Sequence, residues 1–311
     1  MESIFKQKTS LLHQSKTQFQ NLIFESIFKF SLLITIVSLV LIAVYIFWNG
    51  LQLFTQVSPS KFFFSINWET TVRKDFGILP MILASFYITF ASVLVSVPIG
   101  VACSVYAAEL AGGTLKKIIQ IAIQILAGTP SVVYGLIGIA VVVPWIQKLS
   151  QGSGYSILAA IIILSIMILP TIVSISQDAI QSVPSELKQA SLALGATRFQ
   201  TILKVILPVA RPGIITAIVL AISRAFGEAM AVKMVTGNIQ TMPDFGADKW
   251  FGLLSPVRTL TTNIIMDIEY SEGAHRQALF ATGAVLFMVI MIVNYFAYLF
   301  RSRLIKGKKK K

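Results

Sequence analysis

Six apolar stretches, each about 20 residues or longer, dominate this sequence of 311 residues. The hydrocarbon core of a bilayer is about 30 Å thick and a helix rises about 1.5 Å per residue, so stretches of this length predict transmembrane helices. A helix also satisfies its own backbone hydrogen bonds, which lipid cannot do. We therefore expect an all-α integral membrane protein. The predicted spans are Phe28–Trp48, Leu79–Ala108, Ile118–Ile146, Ile157–Ile175, Pro212–Thr236 and Ala278–Phe300.

The composition excludes several classes of protein. Apolar residues make up 55% of the chain and charged residues 13%, about half the charged share of a soluble domain. The single cysteine, Cys103, cannot form an intrachain disulfide. The first apolar stretch is longer than the roughly 7–15 apolar residues of a cleavable signal peptide, and it ends in Phe47 and Trp48. We expect it to remain as a membrane anchor.

Basic residues cluster on one set of connecting segments, and this pattern predicts the topology. Lys and Arg hold loops on the cytoplasmic side, so both termini and the loop at 177–211 are predicted to be cytoplasmic. The net charge of +13 is thereby assigned to orientation at the lipid surface rather than to nucleic-acid binding. We divide the chain into a cytoplasmic segment 1–27, a transmembrane domain 28–300 and a basic cytoplasmic tail 301–311. The basic residues are Lys6, Lys8, Lys16, Lys29, Lys116, Lys117, Lys188, Arg198, Lys204, Arg211, Arg301, Arg303 and Lys306.

A polar segment from Ser185 to Pro208 separates the fourth and fifth spans, where a short loop is usual. Its pattern predicts amphipathic helix with a glycine, Gly195, in the middle and Leu207-Pro208 at the end. Such a segment can dock into a groove of a soluble partner and push on the neighbouring spans. A side chain at position 195 would collide with that partner or with the turn. Pro170, Pro184, Pro208 and Pro212 are expected to end the helices on either side.

This segment resembles the coupling loop of ABC importer permeases, whose pattern is E-A-A-x3-G-x9-I-x-L-P. The sequence matches the pattern at Ala190, Gly195, Leu207 and Pro208, with Val205 in place of Ile. It departs from the pattern at two positions, where Gln189 replaces Glu and Ser191 replaces Ala. The resemblance assigns six of these positions, Gln189, Ala190, Ser191, Gly195, Leu207 and Pro208, to contact with a partner ATPase.

Two charges inside the fifth span, Arg224 and Glu228, are the strongest candidates for a site. They are four residues apart, so a continuous helix would place them on one face. A charge near the bilayer midplane costs roughly 2.5–3.5 kcal/mol on insertion scales, and intramembrane charges usually face the bundle interior. One interpretation is an anion site, because Arg offers a planar fork of donors suited to an oxyanion. The alternative is a structural pair in which the two charges neutralise each other.

The third span carries a second candidate, Thr129-Pro130-Ser131, flanked by Gly128 and Gly135. Pro130 removes a backbone hydrogen bond and bends a helix, and the glycines permit close packing. The hydroxyls of Thr129 and Ser131 are then available to face a translocation path. A packing kink explains the same residues equally well.

Longer motifs resemble the PstC-type permease subunit of the phosphate-specific ABC transporter. They follow one another from about residue 60 to residue 285, and the most specific are the stretches at 129–135 and 224–238. The motifs are Phe76 to Pro80, Leu126 to Gly138, Ile166 to Pro170, Arg224 to Val232 with Gly237-Asn238, and Arg258 to Thr261.

The resemblance implies a type I ABC importer permease, with a MetI-like core and a cytoplasmic coupling helix, in a bacterial or archaeal cell membrane. Its implied partners are a homologous PstA-type permease, a PstB-type ATPase dimer that uses ATP and Mg²⁺, and an extracytoplasmic PstS-type phosphate-binding protein. Phosphate would pass Arg224, with Glu228, Thr129 and Ser131 along the path. The outer loops at 50–77 and 237–276 would receive the binding protein.

The outer loops and the missing motifs leave alternatives open. Trp68, Phe76, Trp250 and Phe251 in those loops are equally interpreted as anchors at the membrane interface. The sequence has no G-x-x-x-x-G-K-[ST] motif, no metal-ligand spacing and no catalytic set, so we expect a transport subunit without an ATPase site, cofactor or metal. Sulfate or molybdate remains an alternative substrate. A secondary transporter or a membrane sensor is a second alternative, although the sequence predicts neither the inverted repeats nor the broken helices of such carriers.

Overall fold

The structure is a computed structural model that describes residues 2–70, 75–150, 152–244 and 252–308, with side chains between residues 23 and 299 of these ranges. These residues form thirteen α-helices and one two-stranded hairpin. The first seven helices are α1 Glu2–Leu51, α2 Pro59–Phe64, α3 Leu79–Val105, α4 Gly113–Gly128, α5 Ser131–Ile137, α6 Val143–Ser150 and α7 Ile157–Gln181. The remainder are α8 Ser185–Ala193, α9 Arg198–Thr201, α10 Leu207–Gly227, α11 Met230–Val235, α12 Leu260–Asp267 and α13 Gly273–Lys308.

Six helical stretches of the described chain are long and apolar enough to cross a membrane, which confirms the predicted six-span, all-α architecture. The first, second, fourth and sixth overlap the predicted spans closely. Turns of π-helix extend the second span to Leu110 and join α5 to α6 and α9 to α10. The spans are Ile23–Thr55, Leu79–Leu110, Ser131–Ser150, Ile157–Gln181, Arg198–Gly227 and Gly273–Leu299.

The third predicted span, Ile118–Ile146, is wrong because the helix is interrupted inside it. Thr129 has φ −73° and ψ 126°, and Pro130 has φ −59° and ψ 143°, so both residues are extended and separate α4 from α5. Proline has no N–H to donate and disfavours helical geometry in the residue before it. The sequence predicted a bend at Pro130, whereas the structure has a complete break.

The fifth predicted span, Pro212–Thr236, is wrong at both ends. The helix begins earlier, at Arg198, and it ends at Gly227, because Glu228 is extended with φ −73° and ψ 126°. Six residues of helix, α11, follow this second break. The chain therefore has two broken helices, which the sequence analysis did not predict.

The prolines around the polar segment do not all end helices. Pro184 is the N-cap of α8, as expected, but Pro170 and Pro212 lie inside α7 and α10. Pro208 lies in the first turn of α10, directly after the π-turn Ile202–Ile206, and the helix continues through it. The prediction that Leu207-Pro208 closes the polar segment is therefore wrong.

Residues Met1–Asn49 form a compact unit of their own and consist of nearly all of α1. None of its residues between 23 and 49 is buried. An ion pair between Glu25 and Lys29, at 2.7 Å, joins successive turns of this helix. The unit is a long apolar helix, and the boundary predicted at residue 27 falls inside it without a break.

The second unit, Gly50–Lys311, is built around α7, which packs against α3 and α10. Hydroxyl groups hold α3 and α7 together within the apolar surroundings. Ser96 Oγ donates to the carbonyl of Ser165 at 3.0 Å, and Ser165 Oγ donates to the carbonyl of Ser92 at 3.2 Å. Small residues of this kind let transmembrane helices approach closely and share hydrogen bonds.

A hairpin formed by β1 (Trp68–Glu69) and β2 (Asp75–Phe76) lies between α2 and α3. The side chains of Trp68 and Phe76 are 7% and 1% exposed and pack with His275, so they are not interface anchors. Trp250 and Phe251, assigned above to the other outer loop, lie outside the described residues.

Candidate functional site

The two helix breaks are brought together by the packing of α5 against α11. A Cβ atom added at Gly135 would come within 2.5 Å of Met234 Sδ and 3.2 Å of Ala231 Cα, so glycine lets α5 approach α11 without displacing the Met234 side chain. By contrast, a Cβ atom at Gly128 would meet nothing within 4 Å, so this glycine has no packing role in the described chain. The break at Thr129–Pro130 precedes α5, and the break at Glu228 precedes α11.

Arg224 lies in the last turn of α10, just before the second break, and its side chain is exposed. Its Nη1 atom donates to Thr171 Oγ1 of α7 at 3.1 Å, which is the one hydrogen bond found for this side chain among the described residues. A guanidinium carries five N–H donors. Arg224 therefore presents a cation with donors to spare on an uncovered surface of the second unit.

Tyr134 links Arg224 to the first break. Its side chain is 4% exposed, and its hydroxyl donates to the carbonyl of Leu126 at 2.7 Å, across the break from α5 to α4. The phenol also lies close to the Arg224 guanidinium and to the side chain of Thr129. Thr129 Oγ1 donates to the carbonyl of Ile125 at 2.7 Å. The predicted site residues Arg224 and Thr129 thus belong to one cluster.

Two members of this cluster, Tyr134 and Thr171, were missed by the sequence analysis. Tyr134 was within a recognised motif, but nothing in the pattern distinguishes a tyrosine that ties down a helix end from one that fills space. Thr171 follows Pro170 in an apolar span, and this neighbourhood is the single sequence signal for it. Ser131 is half-buried at the start of α5, and the described residues include no hydrogen-bond partner for its hydroxyl.

The prediction that Glu228 shares a helix face with Arg224 is wrong. The helix ends between them, and the described ion pairs do not include one joining these two residues. Glu228 Oε1 instead accepts a hydrogen bond from the backbone N–H of Ala231 at 3.0 Å, at the first turn of α11. Its carbonyl accepts from Thr261 Oγ1 at 3.0 Å. Glu228 therefore holds the second break in place rather than neutralising Arg224.

The polar segment begins with the helix α8, in which no residue is buried, and a glycine turn follows. Gln189 and Ala190 are exposed, and Ser191 is half-buried with its hydroxyl 3.0 Å from that of Thr201. Gly195 has φ +83°, a conformation that favours glycine. A Cβ atom there would meet nothing within 4 Å, so the constraint on position 195 in this chain is the turn and not a collision.

Leu207 and Pro208 lie apart from this exposed segment, because they belong to the fifth span. Leu207 is half-buried against Ile180, Ile202 and Ile206, and Pro208 is exposed. The six residues assigned to ATPase contact are therefore divided between two elements. Four lie in or beside α8, and two lie at the start of α10.

The side chain of Arg258, in the loop that precedes α12, is turned into the protein. Its side chain is 8% exposed and donates to the Asn238 carbonyl at 3.3 Å, to Asn263 Oδ1 at 3.0 Å and to Asp267 Oδ2 at 3.2 Å. Asn238 has φ +57°. Arg258 therefore fixes the chain between the second break and α12. Among the described residues, no group of three or more His, Cys, Asp or Glu side chains is placed to hold a metal ion.

Comparison with known sequences identifies relatives over most of the chain. The sequence model of the family described as "Binding-protein-dependent transport system inner membrane component" matches residues 100–306. The chain is 43% identical over 273 residues to "Probable ABC transporter permease protein YqgH" of Bacillus subtilis (strain 168), covering 85% of this chain and 86% of that protein. It is 31% identical over 290 residues to "Phosphate transport system permease protein PstC" of Xylella fastidiosa (strain 9a5c), covering 86% of each.

Comparison with solved structures concerns the fold alone. A chain of the MetNI methionine ABC transporter, in inward-facing conformations, superposes with a TM-score of 0.54 at 19% identity, over 73% of this chain and 94% of that one. A chain of a bacterial ABC transporter involved in the import of the acidic polysaccharide alginate gives 0.58 at 17% identity, over 88% and 94%.

Proposed function

Because the chain belongs to the family of binding-protein-dependent transport system inner membrane components, as an ABC importer permease related to PstC permeases, we propose that it takes up inorganic phosphate. In this proposal it forms one of two homologous permease subunits of an ATP-driven importer. A related protein with 43% identity is named only as an ABC transporter permease, so the phosphate assignment depends on the PstC relatives and on the site.

The observation that carries the proposal is the environment of Arg224. A guanidinium recognises the oxygens of phosphate through parallel hydrogen bonds, and it keeps its charge at every relevant pH. Here it is exposed, it is bound to one neutral hydroxyl group, and no carboxylate neutralises it among the described residues. The surroundings of Arg224 therefore favour the binding of a passing oxyanion over a purely structural ion pair. The hydroxyls of Thr129 and Ser131 lie at the facing break and are proposed to complete the path.

Glu228 has a different part in this proposal from the one expected from its spacing. Its carboxylate accepts a hydrogen bond from the Ala231 N–H, and its carbonyl accepts one from the Thr261 hydroxyl. These two hydrogen bonds keep α10 from continuing past Gly227. A continuous helix would carry α11 away from α5. Glu228 is thus proposed to shape the path that Arg224 lines, without contacting phosphate.

The family membership supports a proposal for the energy source and the partners. We propose that a cytoplasmic ATPase dimer, which uses ATP and Mg²⁺, docks on α8 around Gln189 and Ala190. An extracytoplasmic binding protein is proposed to deliver phosphate to the outer loops. Both termini of the chain are proposed to be cytoplasmic, in a bacterial or archaeal membrane. A broken helix is also common in secondary transporters, and the family membership is what favours the ATP-driven mechanism here.

The test is ATP-driven uptake in proteoliposomes that contain the chain, a second permease and the ATPase, with the phosphate-loaded binding protein added. We expect radiolabelled phosphate to accumulate with ATP and not with a non-hydrolysable analogue. Unlabelled arsenate should compete, whereas sulfate and molybdate should not. Uptake of sulfate or molybdate in place of phosphate would show that the site serves another oxyanion. Accumulation driven by an ion gradient without ATP would favour the secondary transporter.

A further inference from the structure

An ion pair fastens α8 to the end of the second span. Lys188 Nζ of α8 binds Glu109 Oε2 in the π-turn Tyr106–Leu110 that ends this span. The Glu109 side chain is 10% exposed and that of Lys188 is 43% exposed. Neither residue belongs to the coupling pattern, and neither lies in the cluster around Arg224. The pair therefore needs an explanation of its own.

Very little else holds α8 against the spans. No residue of α8 is buried, and apart from Lys188 only Ser191 is half-buried. Ser191 is hydrogen-bonded with Thr201 at the start of the fifth-span helix. Lys188 and Ser191 lie three positions apart and therefore on one side of α8. Gln189 and Ala190 lie between them, and both are exposed.

Apolar packing does not hold α8 against the spans either. A cavity of about 300 Å³ lies between α8 and the span ends, lined by Glu109, Leu110, Lys188, Leu192, Arg198 and Ile202 among others. Apolar side chains therefore do not fill the space behind α8. A helix without buried residues gains little from the hydrophobic effect, so its position depends on its polar links.

We propose that Glu109 and Lys188 are positioning residues that make α8 move together with the end of the second span. Ser191 and Thr201 link α8 to the fifth span in the same way. A push on the exposed side of α8 then reaches two spans at once, and these two spans pack on α7. This inference concerns the proposed ATP-driven function and rests on it. Because the Lys188 end of the pair is 43% exposed, the pair contributes little to global stability, so its loss should change the transmission of movement and not folding.

The first experiment needs neither substrate nor partner. Cysteines replace Leu110 and Leu192 on opposite sides of the cavity in a Cys103→Ala background, and a short bis-maleimide links them in membranes. Glu109→Gln or Lys188→Gln should slow the linking by about threefold or more, the effect of a moderate coupling energy. The reversed pair, Glu109→Lys with Lys188→Glu, should restore the rate. Lys117→Gln, which removes an exposed lysine of α4 that does not line the cavity, should leave it unchanged. Equal rates in all variants would overturn the attachment.

The second experiment uses the complete complex and measures phosphate taken up per ATP hydrolysed. Glu109→Gln and Lys188→Gln should keep the ATPase bound and hydrolysing but lower this ratio by about threefold or more. The reversed pair should recover most of it. A normal ratio in both single variants, or a reversed pair as poor as the single variants, would refute the proposed role. If the unchanged complex shows no ATP-driven phosphate uptake, the proposed function fails, and the cross-linking result still decides the attachment.

Discussion

The two helix breaks that face each other in the membrane domain are made by different means. The break between α4 and α5 contains Pro130, which lacks the N–H that a continuous helix requires. The break between α10 and α11 contains no proline. Two hydrogen bonds stabilise it: the Ala231 N–H donates to the Glu228 carboxylate, and the Thr261 hydroxyl donates to the Glu228 carbonyl. The first break results from the covalent structure of proline, whereas the second depends on side chains that meet only after folding.

The polar side chains beside the two breaks also have different roles. At the first break the neighbouring hydroxyl and phenol groups bond to carbonyls freed at the end of α4, so they satisfy the backbone. At the second break the neighbouring charge, Arg224, donates to the Thr171 hydroxyl of α7 and stays exposed. We interpret the first break as a fixed wall and the second as the side that binds the anion.

The largest effect should come from removing the charge at the second break. Arg224→Gln should lower phosphate uptake by about 100-fold or more, because several charge-assisted hydrogen bonds to the anion are lost. Arg224→Lys should retain part of the activity, since it keeps the charge and loses the planar fork. Uptake is measured in proteoliposomes after the complex is shown to assemble. Arg211→Gln, at the other end of the same helix, serves as the control and should transport normally.

The double variant Arg224→Gln with Glu228→Gln tests whether the two charges form a pair. If they neutralised each other, removing both would restore what removing one destroys. Because Glu228 bonds to the backbone of α11 instead, we expect the double variant to be as inactive as Arg224→Gln alone. Recovery of uptake would show that the separation of these residues in the structure is not the functional one.

The glycine turn after α8 is a reversal fixed by backbone chemistry, like the break at Pro130, but it lies in the polar segment. Gly195→Val should strain the turn by about 1–3 kcal/mol, because a β-branched residue rarely adopts positive φ. We expect phosphate transported per ATP to fall by about tenfold while the protein still inserts. Gly195→Asn is the matched variant, since Asn tolerates this conformation, and it should be nearly normal. Equal damage by both would instead indicate that the side chain collides with a partner.

The sequence predicted the elements whose cause is local, and it failed where the cause is distant. Hydropathy located four of the six spans, and the proline at 130 indicated a disturbance in the third. Nothing near Glu228 indicated the second break, because one of its ties comes from Thr261, 33 residues further along the chain. The setting of Arg224 depends on Thr171, 53 residues before it. The predicted Arg224–Glu228 pair failed for the same reason, since it assumed an unbroken helix between them.

The second break should loosen when its distant tie is removed. Thr261→Val keeps the shape of the side chain but removes the hydroxyl that donates to the Glu228 carbonyl, at a cost of about 0.5–1.5 kcal/mol. We expect backbone amides at 228–231 to exchange faster with solvent by about three- to tenfold. Uptake should fall by a similar or smaller factor. Thr216→Val is the control, because the Thr216 hydroxyl bonds to the Pro212 carbonyl inside the same helix. Unchanged exchange at 228–231 in Thr261→Val would mean that the break, like the one at Pro130, is intrinsic to its local sequence.

The smallest effect should come from the side-chain tie at the first break. Tyr134→Phe removes the hydroxyl that bonds to the Leu126 carbonyl at 2.7 Å, and a buried neutral hydrogen bond contributes about 1 kcal/mol. Because Pro130 still prevents a continuous helix, the break should persist, and uptake should change by less than about fivefold. Thermal unfolding in detergent should show the modest loss of stability, and Tyr106→Phe, at an exposed tyrosine, should show none. A Tyr134→Phe loss of uptake as large as that of Arg224→Gln would place the phenol in the anion path and make the two breaks functionally equivalent.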